Sequence, residues 1–251
     1  SVLCLASCEE FLTEDPTTSL SEGTVYSNEA NLEAGVIGVY WSLKTSNYSW
    51  TTQMSEFCSF PSILIHWKDN RTAENYIQSL RLTMFPHSAE NQGLYDYLYA
   101  SIYKCNKMIE AMIDSPVDQT YKNEIEGEVK FIRAWQYFAA VRFWGDIPLI
   151  VNTPKNIDET DAPRVHYVEV YKQILSDLEY AEQNMRTPER VAEVGGMTGR
   201  PNRWAATALK ASVYMQIACL IENKEYQFFD YQNNPERDCD FSSIGIKSAQ
   251  D

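Results

Sequence analysis

The chain has 251 residues, enough for one large domain or two small ones at roughly 150 residues per domain. Its 35 acidic and 21 basic residues give a net charge of −14, so nucleic acids and anionic lipid surfaces would repel it. Hydrophobic residues make up 44% and charged residues 22%, which argues against a mainly disordered chain. The 10 glycines and 10 prolines argue against a many-turned β-sandwich, whereas aromatic residues are in excess.

The N-terminus is typical of the end of a lipoprotein signal peptide. Small and apolar residues precede Cys8 in the sequence Leu5-Ala6-Ser7-Cys8, a pattern in which cleavage before the cysteine frees it for acylation. We therefore predict a signal-peptide remnant over 1–7 and a lipidated segment over 8–27. The alternative is an ordinary terminus with incidental cysteines. Because no other run of about 18 apolar residues occurs, we expect no membrane-spanning helix and attachment by lipid.

Helical periodicity begins at Asn28, a predicted N-cap, and continues to Thr45. This helix carries two apolar stripes, and we expect both to be buried: Leu32, Val36, Val39 and Leu43 on one side, and Ala30, Ala34, Ile37 and Trp41 on the other. The segment 46–90 has no sustained periodicity. We expect it to form a long loop with short helical pieces, and loops of this length in compact domains are usually functional or disordered.

Four further helical segments follow the loop. The first contains Leu98, Ile102 and Met112 and ends before Pro116. The second, from near Tyr121 to Trp144, is apolar on two faces and should lie between other layers. A proline-containing connector leads to the third, whose stripe is Tyr167, Tyr171, Ile174, Leu178, Ala181 and Met185. The fourth, Arg203 to Leu220, again shows two stripes, and the tail from Asp240 to Asp251 predicts the start of another helix.

The second and fourth of these segments resemble each other. A shift of 77 residues aligns Ile132-Arg133-Ala134 with Leu209-Lys210-Ala211 and Tyr137 with Tyr214. This spacing fits two helical-hairpin units of tetratricopeptide type. The sequence therefore predicts an all-α fold, a tetratricopeptide-like α-solenoid of helix hairpins with long irregular loop insertions.

Metal and catalytic sites find little support in the sequence. Neither C-x-x-C nor H-E-x-x-H spacing occurs, so we expect no metal and no cofactor, and no G-x-S-x-G marks a nucleophile. Cys105 and Cys219 lie in line with apolar neighbours and are predicted to be core residues, and the disulfide state of four cysteines stays open: Cys58, Cys105, Cys219 and Cys239. Acidic residues crowd a helix start, where the helix dipole favours them without a catalytic role: Glu124, Glu126 and Glu128.

A glycine-containing loop precedes the last predicted helix. Gly195, Gly196 and Gly199 lack the Lys-Ser/Thr of a phosphate-binding loop, so we interpret the segment as an inter-helix connection. Arg200 and Arg203 at its end are predicted to pair with the abundant acidic residues.

Several short motifs, in order, resemble the SusD/RagB family. They are the cysteine followed by Glu9-Glu10-Phe11-Leu12; Tyr99, Ile102 and Asn106; Arg133-Ala134 with Tyr137-Phe138; Phe143-Trp144-Gly145-Asp146-Ile147-Pro148-Leu149; Pro163-Arg164 ahead of Val168-Glu169-Val170-Tyr171; and Gly199-Arg200 before Ala205-Ala206. The resemblance implies a non-catalytic, surface-exposed lipoprotein of the outer membrane of Bacteroidota. It also implies oligosaccharide capture and delivery to a SusC-like TonB-dependent transporter, with tetratricopeptide-like units as the scaffold.

Two features depart from the family pattern. Tyr95 stands where the family often has Trp, and the chain has about half the usual length of the family. We therefore expect 28–251 to be the N-terminal part of a SusD-like helical domain whose C-terminal part is absent.

Sugar-binding sites combine exposed aromatic rings with planar polar side chains, because sugars present apolar C–H faces edged with hydroxyl groups. The segment 46–90 holds such a set, and we predict ligand contact by Trp67, Asp69, Asn70, Arg71, Trp50 and Tyr76. The alternative for Trp67 is an anchor that holds the loop to the scaffold. Four other tryptophans lie on or beside helical stripes and are predicted to pack: Trp41, Trp135, Trp144 and Trp204.

Two functional classes follow from these features. The first is a surface glycan-binding lipoprotein, and the second is a tetratricopeptide-like adaptor that binds a peptide or protein on its concave face. The lipobox and the aromatic loop favour the first class, because neither is needed by a regular adaptor solenoid.

Overall fold

The computed structural model describes residues 26–43, 89–156, 159, 161–193, 199–222 and 240–250. Within these residues the fold is mostly helical. The long helices are α1 (Glu29–Ser42), α2 (Ala89–Ile113), α3 (Gln119–Trp144), α4 (Tyr167–Asn184) and α6 (Arg203–Glu222). The short elements are β1 (Ile147–Pro148), which pairs antiparallel with β2 (Arg164–Val165), the helix α5 (Pro188–Glu193) and a 3-10 turn over Ser242–Ile244.

Each long helix packs against the next long helix along the chain. Contacts run from α1 to α2, from α2 to α3, from α3 to α4 and from α4 to α6. The predicted all-α arrangement of helix hairpins is therefore confirmed. The sequence did not predict α5, because six residues are too few to show a helical period.

Side-chain caps set the helix starts. The Asn28 side chain accepts a hydrogen bond from the Asn31 amide at 2.9 Å, as expected of an N-cap. Asp118 accepts from the amides of Thr120 and Tyr121 at 2.9 and 3.2 Å, so α3 begins slightly before the predicted start near Tyr121. At its other end, Gly145 adopts φ of +66°, which turns the chain into β1 without the strain of a β-carbon.

Two apolar clusters form the core. The larger lies among α2, α3, α4 and α6 and includes Phe241, which packs edge-on against Tyr171 at a ring distance of 5.6 Å. The smaller lies beneath α1, where Leu32, Val36 and Val39 meet α2 and α3. The predicted stripe of α4 is buried throughout. α3 is buried on two faces, as predicted, because α2 and α4 cover it from either side.

The prediction of two buried faces is wrong for α1. Its second stripe faces outward, with Ala30 and Ala34 exposed, Ile37 43% exposed and Trp41 63% exposed. The cause is that the described neighbours of α1, which are α2 and α3, both lie on its first stripe.

The same prediction is wrong for α6. Ala206, Val213 and Ile217 face the core, whereas Trp204 is 62% exposed and Met215 is 67% exposed. Among the four tryptophans predicted to pack, Trp41 and Trp204 are therefore surface residues. Trp144 packs against the larger core, and Trp135 is half-buried.

The prediction of a core position is confirmed for Cys105 and wrong for Cys219, and the prediction of a helix start in the tail is also wrong. Cys105 is fully buried, and burial raises the pKa of its thiol to about 12, but Cys219 lies on the exposed side of α6. The described tail, 240–250, forms the 3-10 turn and bends instead of the predicted helix start. Phe241 anchors this tail to α4, and Gly245 ends the turn with φ of +85°.

By length and mean hydropathy alone, one described helix resembles a membrane span. This helix is α6, whose most apolar 18-residue window has a mean hydropathy of 1.3. Only 17% of that window is buried. Lys210 on the same helix makes an ion pair with Glu182 at 2.9 Å. The expectation of no membrane-spanning helix rested on the absence of an uninterrupted apolar run. Lys210 places a charge among the apolar residues of α6.

Candidate functional site

The residues predicted to contact a sugar lie outside the described residues, as does Cys8. These are Trp50, Trp67, Asp69, Asn70, Arg71 and Tyr76. They all belong to the segment that connects the C-terminal end of α1 with the N-terminal end of α2. Near the C-terminal end of α1, Ser42 donates to Ser101 on α2 at 3.0 Å and joins the two helices. Since Ala89 begins α2 twelve residues earlier, α2 extends about 18 Å beyond this point at 1.5 Å per residue.

An aromatic cluster lies on the N-terminal part of α2, which extends beyond the end of α1. The ring of Tyr95 lies 4.5 Å from that of Tyr99 and makes an edge contact with Trp144 at 5.3 Å. Tyr99 donates its hydroxyl to the Pro148 carbonyl at 2.7 Å, and burial raises the pKa of that hydroxyl. The position where the family often has Trp is thus half-buried between two other rings, and Tyr95 there contributes to packing.

A buried ion pair joins α3 to α4. The Arg133 guanidinium binds Asp177 through two nitrogens, at 2.8 and 2.7 Å, and the two residues are 4% and 2% exposed. A third nitrogen donates to Asn106 on α2 at 2.8 Å and to the Val151 carbonyl at 3.1 Å. Burial alone would lower the pKa of Arg133, but the hydrogen bonds and charge of Asp177 hold it above its usual value.

The same network holds the chain that follows β1. Asn106 donates to the Ile150 carbonyl at 2.8 Å. The Tyr137 hydroxyl donates to that carbonyl and accepts from the Ile150 amide, both at 2.8 Å. Asp146 then accepts from the Tyr167 amide at 3.0 Å and so fixes the start of α4. The motif residues Asn106, Arg133 and Tyr137 are therefore scaffold residues, and their polar groups are used internally.

A second charged cluster joins α1, α3 and the segment before α6. Arg186 binds Glu124 and Glu33, both at 2.8 Å, and Arg190 binds Glu124 at 3.0 Å. Arg200 binds Glu128 at 2.8 Å and also binds Glu33. Three arginines thus neutralise three carboxylates.

Two tyrosines complete this cluster. Tyr40 donates to Glu128 at 2.5 Å, and Tyr121 donates to Glu33 at 2.6 Å. Burial, followed by the hydrogen bond to Glu33, raises the pKa of Tyr121 to about 12. The cleft beside Glu128, Arg186 and Arg200 has a volume of about 10 Å³, which is room for one water molecule and too small for a sugar ring.

This cluster corrects the interpretation of the acidic residues on α3. Asp118 caps the helix, and its first turn contains no acidic residue, so the helix dipole is not the reason for Glu124 and Glu128. Both are buried and paired with arginine, whereas Glu126 lies beside Lys130 at 2.8 Å and accepts from Tyr180. The predicted pairing of Arg200 with acids is confirmed. Arg203 instead donates to the Gln183 carbonyl at 2.7 Å.

One feature of the sequence points to these clusters: charged residues within the apolar faces of α3. Arg133, Glu124 and Glu128 lie among apolar residues of a helix that was expected to be buried on two faces. A charge in such a position requires a partner, because an unpaired buried charge is costly. Within the described residues, no group of three or more His, Cys, Asp or Glu side chains could hold a metal ion.

Comparison with known proteins identifies the fold. A family model described as SusD-like, "starch-binding associating with outer membrane", matches residues 10–215. The chain belongs to the SusD-like family. A SusD-like protein of Formosa agariphila is 28% identical over 227 residues, which are 84% of this chain and 40% of that protein. A SusD-like protein of Bacteroides ovatus is 25% identical over 219 residues, 86% of this chain and 38% of that protein.

Solved SusD-like structures share the helical arrangement. A SusD homologue from Bacteroides thetaiotaomicron superposes with a TM-score of 0.66 at 21% identity, over 80% of this chain and 38% of that one. A laminarin-binding SusD-like protein gives a TM-score of 0.64 at 22% identity, over 76% and 41%. Identities this low establish the fold alone. This SusD-like chain spans about 40% of the length of the curated relatives named above.

Proposed function

We propose that this SusD-like chain belongs to a surface lipoprotein that captures oligosaccharides without cleaving them. The observation that carries the proposal is the match of residues 10–215 to a family described as starch-binding and associated with the outer membrane. A structural relative described as binding laminarin supports the same ligand class. Apart from Cys8 and Glu9, the motifs that carry the resemblance lie within the matched range, which favours this function over that of a general peptide adaptor.

The loop between α1 and α2 is the proposed place of sugar contact. Within the described residues, the arginines and carboxylates of the two charged clusters bind one another. The cleft at the second cluster is too small for a sugar ring. The loop, in contrast, holds an aromatic residue beside four polar ones in the sequence Trp67-Lys68-Asp69-Asn70-Arg71. We propose that Trp67, supported by Trp50 and Tyr76, stacks on a sugar ring while Asp69, Asn70 and Arg71 bind its hydroxyls.

Calorimetric titration of the longest gene product with starch and laminarin oligosaccharides tests this site. Stacking on an aromatic ring is worth roughly 1 to 3 kcal/mol in the base-stacking case. Trp67→Ala should therefore weaken binding by about tenfold or more, since 1.4 kcal/mol is one decade. Trp41→Ala is the matched control, because Trp41 is exposed on α1 outside the loop, and it should leave affinity unchanged.

Two outcomes would contradict this assignment. In the first, Trp67→Ala lowers the melting temperature by several degrees, which would make Trp67 the anchor of the loop. In the second, Trp41→Ala weakens binding as much as Trp67→Ala does. Release of reducing ends from the bound oligosaccharide by the wild type would contradict the non-catalytic role.

We further propose that Cys8 carries lipid and that the protein delivers its ligand to a SusC-like TonB-dependent transporter. The sequence Leu5-Ala6-Ser7-Cys8 and the outer-membrane description of the family support this arrangement. Labelling cells with palmitate should mark the wild type and spare Cys8→Ala, and affinity purification of the wild type from outer membranes should recover the transporter. A Cys8→Ala protein that still labels and stays in the membrane fraction would refute the anchor.

A further inference from the structure

The chain between α4 and α6 returns to α1 through two arginines. Arg186 binds Glu33 of α1 and Glu124 of α3, both at 2.8 Å. Arg200 also binds Glu33, and it binds Glu128 of α3 at 2.8 Å. Each arginine therefore joins one carboxylate of α1 to one carboxylate of α3, and we call Arg186 and Arg200 together the arginine bridge.

The packing of α1 explains why such a bridge matters. The outward stripe of α1 is exposed, and its buried residues all lie on one side: Leu32, Val36, Val39 and Ser42. Apolar packing along one stripe is non-directional, so it fixes the rotation of the helix about that stripe only weakly. Glu33 and Tyr40 are seven residues apart, which is two helical turns, and therefore lie on the same side of α1. Hydrogen bonds on that side are directional, so they limit this rotation.

Arg200 reaches both ends of α1, directly at Glu33 and indirectly through Glu128. The Glu128 Oε1 atom accepts from Arg200 Nε at 2.8 Å and from the Tyr40 hydroxyl at 2.5 Å. Glu128 is 4% exposed, so water competes little for these hydrogen bonds. Tyr40 lies two residues before Ser42, the last residue of α1. One carboxylate oxygen thus couples the arginine bridge to the end of α1 that leads into the segment 46–90.

We propose that Arg200 is a positioning residue for the segment 46–90. Through Glu33 and the hydrogen bond between Tyr40 and Glu128, it fixes the rotation of α1 and with it the direction in which the chain leaves Ser42. This role rests on the proposed function, because the segment 46–90 is the proposed place of sugar contact. Arg200 itself is paired with carboxylates and is assigned no contact with the sugar.

Two variants of the longest gene product test this role. Arg200→Met removes the guanidinium and keeps an unbranched side chain. Tyr40→Phe removes only a hydroxyl and leaves the ion pairs of Arg200 intact, so it tests the same coupling in a protein whose charges stay paired. Arg190→Met is the matched control, because Arg190 lies in the same connection but binds Glu124 and Glu193, on α3 and α5.

Two quantities are measured for each protein at a temperature where all of them are folded. Hydrogen exchange of α1 peptides is followed by mass spectrometry, and affinity for starch and laminarin oligosaccharides is measured by calorimetric titration. In Arg200→Met and Tyr40→Phe, the amides of α1 should exchange about tenfold faster than in the wild type, because α1 opens more often. If α1 is correctly placed in only about a third of the molecules, the apparent dissociation constant for the sugar rises about threefold. Arg190→Met should change either quantity by less than about twofold.

Three results would overturn the positioning role. The first is unchanged exchange of α1 in both variants, and the second is faster exchange of α1 with the wild-type affinity for sugar. The third is an equal loss of affinity in Arg190→Met, which would make the effect one of general stability. A wild type that binds no oligosaccharide would instead contradict the proposed function, and the exchange rates would then still decide whether the arginine bridge holds α1.

Discussion

Arg133 and Asp177 show how one residue pair secures several elements. Both side chains are almost completely removed from water, and the guanidinium also bridges Asn106 and the Val151 carbonyl. Taking a charge out of water is costly, and only a well-placed partner offsets that cost. The intact pair therefore contributes little net stability, but the loss of either partner would leave the other charge unpaired in the core and destabilise the fold.

Arg133→Ala should lower the free energy of unfolding by about 3 to 5 kcal/mol, because it leaves the Asp177 carboxylate buried without its partner. Arg133→Lys should recover only part of the loss, since an ammonium cannot make the bidentate contact. Urea unfolding measures the effect. Lys172→Ala is the control, because its ion pair with Glu169 is exposed and 3.8 Å long, and exposed pairs contribute about 0 to 1 kcal/mol. Equal losses in Arg133→Ala and Lys172→Ala would show that the buried pair has no special role.

At the scale of helices, α3 passes close to the C-terminal end of α4 at Gly127. A β-carbon on Gly127 would lie 3.1 Å from the Met185 amide nitrogen, which is backbone and donates to the Ala181 carbonyl. Around the same position on Gly38 of α1, no heavy atom of the described residues lies within 4 Å apart from the chain neighbours and the backbone of its own helix. The two helical glycines thus differ in the space around them, and the close approach explains why α3 carries a glycine where it passes the end of α4.

Gly38→Ala should stabilise the protein by roughly 0.5 to 1 kcal/mol, which is the cost of glycine in a helix interior. Gly127→Ala has the same helix benefit, but crowding in a packed interior typically costs about 1 to 3 kcal/mol. Gly127→Ala should therefore be the less stable variant, by at least about 1 kcal/mol. Thermal unfolding of the two variants side by side provides the measurement. If both stabilise equally, α4 moves away from α3 at no cost.

The cluster around Glu33 links three elements and should make that linkage sensitive to acid. Burial alone would raise the pKa of Glu33, but hydrogen bonds from Tyr121, Arg186 and Arg200 hold it below its ordinary value of 4.5. A carboxylate whose pKa is lower in the folded state stabilises the fold above the unfolded pKa. That contribution is lost as the pH falls through the lowered value.

Glu33→Gln should accordingly be less stable than the wild type at pH 7, and the difference should shrink as the pH falls from 4.5 towards 3. Urea midpoints measured between pH 7 and pH 3 would show this convergence. Glu29→Gln serves as the control, because Glu29 is an exposed residue of the same helix and lies outside this cluster. A constant difference between Glu33→Gln and the wild type at all pH values would argue against the linkage.

The sequence predicted the helices well and their neighbours less well. The stripe of α4 and the two covered faces of α3 agree with the structure because periodicity reports which side chains are apolar. Periodicity does not report whether another element reaches a face, and so the outer stripes of α1 and α6 were wrongly expected to be buried. The ion pairs were also beyond its reach, since Glu33 and Arg200 are 167 positions apart and no local pattern connects them.

At the scale of the whole molecule, ligand recognition is proposed for a loop, while the described helices form a scaffold. The composition of the loop, aromatic residues beside polar ones, is visible in the sequence without any structure. The scaffold residues that carry the family motif, such as Asn106, Arg133 and Tyr137, hold the chain after β1. Motif positions in this chain therefore report the fold, which is consistent with our proposal that the segment 46–90 contacts the ligand.

The net charge of −14 should make global stability depend on salt in a defined direction. Excess negative charge repels itself across the surface, and about 0.15 M salt screens exposed charges over a distance of about 8 Å. The buried pairs Arg133–Asp177 and Arg186–Glu124 are screened much less. We therefore expect the melting temperature of the chain to rise between 10 mM and 150 mM NaCl, by about 2 to 4 °C if screening contributes about 1 kcal/mol. Scanning calorimetry at both salt concentrations measures the shift. A melting temperature that falls with salt would mean that attractive pairs outweigh the net repulsion.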